Sequence, residues 1–302
     1  MIRRLIYMLA VLLLLAPAAG AEAVQVGLSM GNTDTARDIA VVQSIQSALE
    51  GGAYEVRLAD AGGSLSRQAA DIRDLVSGRP DYLLVSAVRS IGLGAAIESA
   101  RQAGIPVILV DQFSTDVPTS DTLTRIGIDW SWAGATCADV LDRRFQGESA
   151  SILEVQGTSG FSSTQEASKG FRAELGKCEG LQLAGVLIGG SDRQTTSQVL
   201  LDFIEEKGFC FDAVFAHGDE QALGVINALL SAAADEDIPI VCIGGADDAQ
   251  RAMTAGKLFA CVRVDDDPGA GIAQALGVHM AGGDVAPVQL SRGAVQYAGE
   301  GD

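Results

Sequence analysis

At 302 residues, with 48% hydrophobic side chains and 36 glycines, the chain has material for two domains of ordinary size rather than one core. Its 39 acidic against 21 basic side chains give a net charge of −18 at pH 7, which argues against nucleic acid and anionic membrane surfaces as partners. Five cysteines without a CxxC spacing, and two histidines in all, give no basis for a metal site or a cofactor.

The first 21 residues read as an export signal. Arg3 and Arg4 precede an apolar run from Leu5 to Leu15, and Ala19-Gly20-Ala21 offers a small-residue cleavage site before Glu22. The run is short for a membrane span of ~20 residues, so the expected location is the periplasm. Cleavage would leave 19 basic and 39 acidic side chains, a net charge of −20.

From Val24 the pattern alternates strand and helix. Residues 24–29 form a predicted strand, 36–49 a helix, 54–58 a strand and 66–77 a helix. The stretch from Asp81 to Phe113, DYLLVSAVRSIGLGAAIESARQAGIPVILVDQF, is the clearest unit. Its two solid apolar runs, 82–85 and 105–110, flank a segment with apolar residues at Ile91, Ala95, Ile97 and Ala100, stopped by Gly104 before Pro106. Two continuously apolar strands joined by a helix make a parallel pair with a right-handed crossover. Ligands meet such sheets at the carboxyl ends of the strands, which here carry Ser86 to Arg89 and Asp111 to Phe113.

A strand at 122–128 ends on Asp129-Trp130-Ser131-Trp132, and a helix follows over 133–145. The pattern then restarts with strands at 151–155, 181–188, 211–216, 238–243 and 258–264. Helices at 164–175, 194–207, from 219 and 247–255 separate them. A last helix at 269–280 and a short strand at 288–290 complete the chain. Two α/β halves in sequence, without a linker, are the internal repeat.

Cys178 and Cys210 each fall between a predicted helix and the next strand, at the end of the sheet away from ligand. In an oxidising compartment they are expected to form a disulfide, closing a loop of about 33 residues worth roughly 3–4 kcal/mol. Cys137, Cys242 and Cys261 lie inside a helix and two apolar strands and read as buried free thiols.

The phrases IPVILVDQ, IGIDWSWAG, LEVQGTSGFSSTQEASKGF, VFAHGDEQALGVINAL and GKLFACVRVDDDPGAG occur in this order. Together they resemble the type I periplasmic sugar-binding proteins, most of all the ribose- and galactofuranose-binding members that feed ATP-binding-cassette importers. The resemblance runs from about Val24 to Tyr297. It implies an α/β protein of two doubly wound parallel-sheet lobes joined by a three-stranded hinge, closing over a ligand. It also implies lobes of 22–128 plus 266–287 and of 129–265 plus 288–302.

The resemblance places candidate ligand contacts at the facing loops. Asp111 stands where the family keeps an acid, and Gln112 where an arginine is usual. In the first loop Asn32, Asp34 and Arg37 are the contacts on offer, with helix capping or solvent exposure as the plain alternatives. Arg89 follows the third strand. In the second lobe Phe161 and Gln165 occupy the loop and helix before the Gly-Phe pair, where the family has an arginine. His217 ends a strand, Gly218 replaces an asparagine, Ala246 replaces an aspartate beside Asp247, and Asp265 stands near an amide contact. Phe113, Trp130, Trp132 and Phe161 are the aromatic groups able to stack, with core packing the better reading for Trp132.

The expected function is capture of a small polar ligand, a carbohydrate or polyol first and an amine-bearing solute second, for delivery to a membrane permease, by a monomer. A sensory accessory protein of the same fold, reporting to a membrane receptor or sensor kinase, is the alternative. An enzyme finds no support: GTSGF is not the GxSxG of hydrolases and no histidine partners its serine.

Overall fold

The computed structural model describes residues 22–51, 53–234, 238–264 and 267–299. The export signal over 1–21 and the candidate Asp265 lie outside the described residues.

The first lobe is built from β1 (Val24–Met30), α1 (Ala36–Ala48), β2 (Tyr54–Asp60), α2 (Leu65–Ser77), β3 (Tyr82–Ser86), α3 (Gly94–Gln102), β4 (Val107–Val110) and β5 (Thr124–Ile128). The second holds α4 (Trp130–Phe145), β6 (Ala150–Gln156), α5 (Ser162–Leu175), β7 (Leu181–Ile188), α6 (Arg193–Lys207) and β8 (Ala213–Ala216). It continues through α7 (Asp219–Ser231), β9 (Ile240–Gly244), α8 (Asp247–Thr254) and β10 (Ala260–Arg263). The chain then returns to the first lobe for α9 (Pro268–Met280) and β11 (Val288–Ser291), and ends on β12 (Ala294–Tyr297).

Among the described residues the strands form two six-stranded sheets, ordered β11-β5-β4-β3-β1-β2 and β12-β10-β9-β8-β6-β7. Every pairing is parallel except β10 with β12. Each sheet thus repeats the order 2-1-3-4-5 of doubly wound folds, whose ligand crevice lies at the carboxyl ends beside the switch point. The apolar strands are buried on both faces: all of β3, β4 and β8 is buried. In the first sheet one face packs Leu28, Leu84 and Ile108 against α1 and α9, the other Leu83, Val85 and Leu109 against α2 and α3.

The expected strand at the chain's end is split. β11 pairs with β5 in the first sheet, whereas β12, which the sequence reading does not anticipate, pairs with β10 in the second. Residues 288–291 therefore lie with the first lobe, not with the second as expected, and the last crossing falls between Ser291 and Ala294. Two helix starts also differ. Asp129 accepts a hydrogen bond from Trp132 N at 3.0 Å as N-cap, so α4 begins at Trp130 rather than at 133. α3 begins at Gly94, and Ile91 is exposed in the preceding turn.

The expected Cys178–Cys210 disulfide is absent: both are free thiols. β7 and β8, which follow these cysteines, flank β6 on opposite sides. At ~4.8 Å per strand their starts are about 10 Å apart, beyond the ~7 Å Cα separation a disulfide tolerates. The helices before them also take opposite faces, α5 with α4 and α6 with α7. Cys178 packs toward the α4–α5 face with its thiol donating to Glu174 O, and Cys210 is exposed. Burial and the nearby Asp142 and Glu174 carboxylates push the Cys178 thiol up to about 11. Cys137, Cys242 and Cys261 are buried free thiols, as expected.

α4 and α5 meet through glycines. A Cβ at Gly170 would lie 1.9 Å from Ser131 O, and one at Gly134 would lie 2.0 Å from Ala167 O. The helices can approach this closely because neither carries a side chain there. Gly170→Ala is therefore expected to destabilise the fold by about 1–3 kcal/mol as the helices are forced apart. Urea denaturation would check this, and an unchanged midpoint would refute the close approach.

Candidate functional site

The loops at the carboxyl ends of both sheets face each other across a cleft of about 520 Å³, within the ~300–1,000 Å³ of small-molecule sites. The first lobe contributes Thr35, Arg37, Asp38 and Gln112. The second contributes Trp130, Phe161, Ser163, His217, Asp219, Glu220, Gln221 and Arg263. A smaller cavity of about 260 Å³ lies beside the hinge, with Arg37 and Asp111 in its wall, but Val41, Ile126, Ile128, Pro268 and Leu290 make it mainly apolar.

The first-lobe wall is organised by Asp111. Directly after β4 its backbone takes φ 58°, a left-handed conformation that aspartate tolerates through its short polar side chain. Its N–H donates to Ile126 O at 2.9 Å. Its carboxylate, 5% exposed, accepts from Arg37 Nη2 at 2.5 Å. The Arg37 guanidinium in turn lies 4.9 Å from the centroid of the Trp130 ring, a cation–π contact between the lobes. Asp38 closes a capping box with Thr35, accepting from its hydroxyl at 2.6 Å. Burial raises the Asp38 carboxyl above its ordinary value; the Asp111 charge adds to this and the Thr35 hydrogen bonds oppose it.

Gln112 is 8% exposed and spans the cleft mouth. Its Nε2 donates to Ser163 Oγ at 3.0 Å, and its Oε1 accepts from Ser162 Oγ at 3.1 Å and from Ser163 N at 3.2 Å. Beside it Phe113 N donates to Ser162 Oγ at 2.8 Å and Ser90 N to Gly160 O at 2.8 Å. Gln165 Nε2 reaches Ser90 Oγ at 3.0 Å, and Arg89 reaches Ser159 O at 3.4 Å. The lobes are thus latched in a closed arrangement. Gln112→Ala removes three of these bonds at ~0.5–1.5 kcal/mol each. It is expected to raise the solution radius of gyration of the solute-free chain, and small-angle scattering unchanged from wild type would refute the latch.

Behind the second-lobe wall, in contact with His217, lies Glu154, fully buried in β6. Its Oε1 lies 2.9 Å from His217 Nε2 and accepts from Gln156 Nε2 at 3.0 Å, while Oε2 accepts from Arg172 Nε at 2.9 Å. Burial alone would raise its pKa, but hydrogen bonds from His217, Gln156 and Ser168 outweigh that and hold it at about 2. His217 is 8% exposed, packs its ring at a tilt against Phe215 with centroids 4.8 Å apart, and lines the cleft. Asp219 accepts from the N–H groups of Gly245 at 2.9 Å and Ala246 at 3.1 Å, which fixes the loop after β9. Glu220 is held by a two-point contact from Arg193.

Of the candidates from the sequence, Arg37, Gln112, Phe161 and His217 line the cleft, and Asp111 sits behind Arg37 in the wall of the neighbouring cavity. Arg89 and Gln165 join the lobes at its rim. Asn32, Asp34 and Asp247 are outside its lining, the last two exposed. Trp130 lines the cleft from the first turn of α4, and Trp132 packs on the second-lobe core. Sequence reasoning missed Asp38, Glu154, Asp219, Glu220, Gln221 and Arg263. Glu154 alone left a signal: a carboxylate inside an otherwise apolar strand.

A family model for the periplasmic binding protein domain matches residues 26–283. The chain is 27% identical over 249 residues to the ribose import binding protein RbsB of Bacillus subtilis, covering 78% of this chain and 75% of that one. It is 26% identical over 267 residues to the galactofuranose-binding protein YtfQ of Escherichia coli, covering 87% and 84%. Among solved structures, the periplasmic binding component of an arabinose ABC transporter from Shewanella sp. ANA-3 superposes with a TM-score of 0.84. It is 24% identical, with 91% of this chain and 92% of that one covered. With its two doubly wound lobes closed over a polar cleft, the chain belongs to the periplasmic binding protein domain family.

Proposed function

We propose that this protein is exported with residues 1–21 removed, captures a neutral sugar or polyol between its lobes as a monomer, and delivers it to an ABC importer. The observation that carries this reading is the interlobe cleft itself, about 520 Å³ of polar and aromatic lining at the carboxyl ends of both sheets. The names of the relatives, for ribose and galactofuranose, point the same way. Arg37, Gln112, Trp130, Phe161 and His217 are the proposed contacts, with Asp111 positioning Arg37. The family's arginine position in α5 falls among Gln165, Glu166 and Ala167, so the hydroxyl-binding set is its own and the solute need not be ribose.

A thermal-shift screen of the mature chain tests this, using pentoses, hexoses, polyols, amino acids and amines. A solute that binds only the folded state stabilises it by about 2.7 kcal/mol at a hundredfold excess over Kd. A sugar or polyol hit supports the reading, and a hit confined to amines replaces it. Deleting the gene should then abolish uptake of that solute. Loss of a transcriptional response with uptake intact would favour the sensory alternative.

A further inference from the structure

On the second-lobe side of the cleft, the side chains of Trp130 and His217 each bury a polar atom without a hydrogen-bond partner, Nε1 and Nδ1 respectively. A buried polar group left unsatisfied costs ~1–3 kcal/mol, so a pair of them in one cleft wall calls for a reason. The indole N–H can only donate. What Nδ1 can do depends on its ring partner, and Glu154 determines that.

Glu154 is fully buried, and its Oε1 lies 2.9 Å from His217 Nε2. An ionised carboxylate only accepts, and this one also accepts from Arg172 and Gln156. The hydrogen in the Glu154–His217 bond is therefore on Nε2. A neutral imidazole with Nε2 protonated has its remaining lone pair on Nδ1.

We propose that Glu154 is a positioning residue that holds His217 as the Nε2–H tautomer, so that Nδ1 selects solutes donating a hydroxyl hydrogen while Trp130 Nε1 takes an acceptor. The inference rests on the solute-binding reading and sharpens it. A hydroxyl both donates and accepts, so a polyhydroxylated solute satisfies the two orphaned atoms together. A carboxylate or phosphate oxygen cannot donate to Nδ1; Asp38, Asp219 and Glu220 share the lining with Arg37 and Arg263, so the discrimination rests on the hydrogen bond and not on charge. A quaternary ammonium can neither donate nor accept.

The first test needs no solute. The chain has two histidines, so in a His279→Asn background long-range 1H–15N spectra report His217 alone. At pH 7.5 Nε2 is expected to be protonated and Nδ1 bare. Glu154→Gln, whose amide both donates and accepts, is expected to mix the tautomers. Protonation of Nδ1 in the unsubstituted site, alone or with Nε2, overturns the proposal.

The second test is calorimetric titration with D-ribose, L-arabinose, D-galactose, xylitol and myo-inositol, set against succinate and glutarate, dicarboxylates that carry no hydroxyl. A neutral solute is expected to bind, and the acidic probes at least tenfold more weakly. His217→Phe keeps a ring against Phe215 without an acceptor and is expected to weaken binding roughly tenfold to a hundredfold. Unchanged affinity in His217→Phe, or preference for an acidic probe, overturns the selection. If no neutral probe binds, the sugar reading and the selection both fall, while the spectra still decide the tautomer.

Discussion

Replacing Glu154 by leucine is expected to cost about 3–5 kcal/mol of stability, enough to leave a marginal protein largely unfolded at 37 °C. Glu154 sits at the centre of a buried network, bonded to His217, Gln156 and Arg172. Leucine matches its bulk but abandons all three partners, and a buried donor left without its acceptor bears the full desolvation cost. The same residue sets an acid limit. Its carboxyl titrates at about 2 in the folded protein, against ~4.3 for an unfolded glutamate. A depressed folded pKa contributes stability above the unfolded value, lost as pH falls toward the folded one. About 3 kcal/mol should therefore disappear between roughly pH 4.5 and pH 2. Urea midpoints measured across that window in wild type and in Glu154→Gln check it. A wild-type slope no steeper than the variant's would contradict it.

Arg37→Ala is expected to weaken solute binding about thirtyfold. The guanidinium neutralises Asp111, which is 5% exposed, and it lies against Trp130 of the opposite lobe. Its removal leaves a buried carboxylate uncompensated and deletes the cation–π contact joining the walls in the closed state. Loss of one partner of a buried charge pair costs ~3–5 kcal/mol; with Arg37 28% exposed, about 2 kcal/mol is the better figure. Titration calorimetry on the solute found in the screen measures the change. If Asp111→Asn in the Arg37→Ala background restores none of the affinity, the pair does not act as a unit.

The fold was legible because its strands are solid apolar runs. Residues 82–85 and 105–110 cannot be amphipathic surface strands, and a parallel sheet follows directly from them. β12 escaped because AVQY is four residues long and half-exposed, with a pattern shared by many loops. The Cys178–Cys210 pairing failed for a related reason. Periodicity locates each cysteine at a strand's start but does not reveal that β6 lies between β7 and β8.

The site was legible in part. Strand-end position together with the family resemblance pointed to Arg37, Asp111, Gln112, Phe161 and His217, which lie at the cleft or in the wall of the neighbouring cavity. Asp34 and Asp247 occupy equivalent loops, yet their carboxylates are exposed outside the lining. Whether a loop residue turns inward depends on backbone geometry such as the positive φ at Asp111, which composition does not encode. Gln112's contacts with Ser162 and Ser163 exist because two lobes meet, and no local pattern relates residues fifty positions apart.

The measurement that bears most directly on the central claim uses the two tryptophans of the chain. In a Trp132→Phe variant, Trp130 is the sole indole and lines the cleft. Titrating that variant with the neutral sugars and polyols is expected to give a saturable change in Trp130 emission for the solute that stabilises the fold. A solute that stabilises the protein while Trp130 emission stays flat would place binding elsewhere and contradict capture between the lobes.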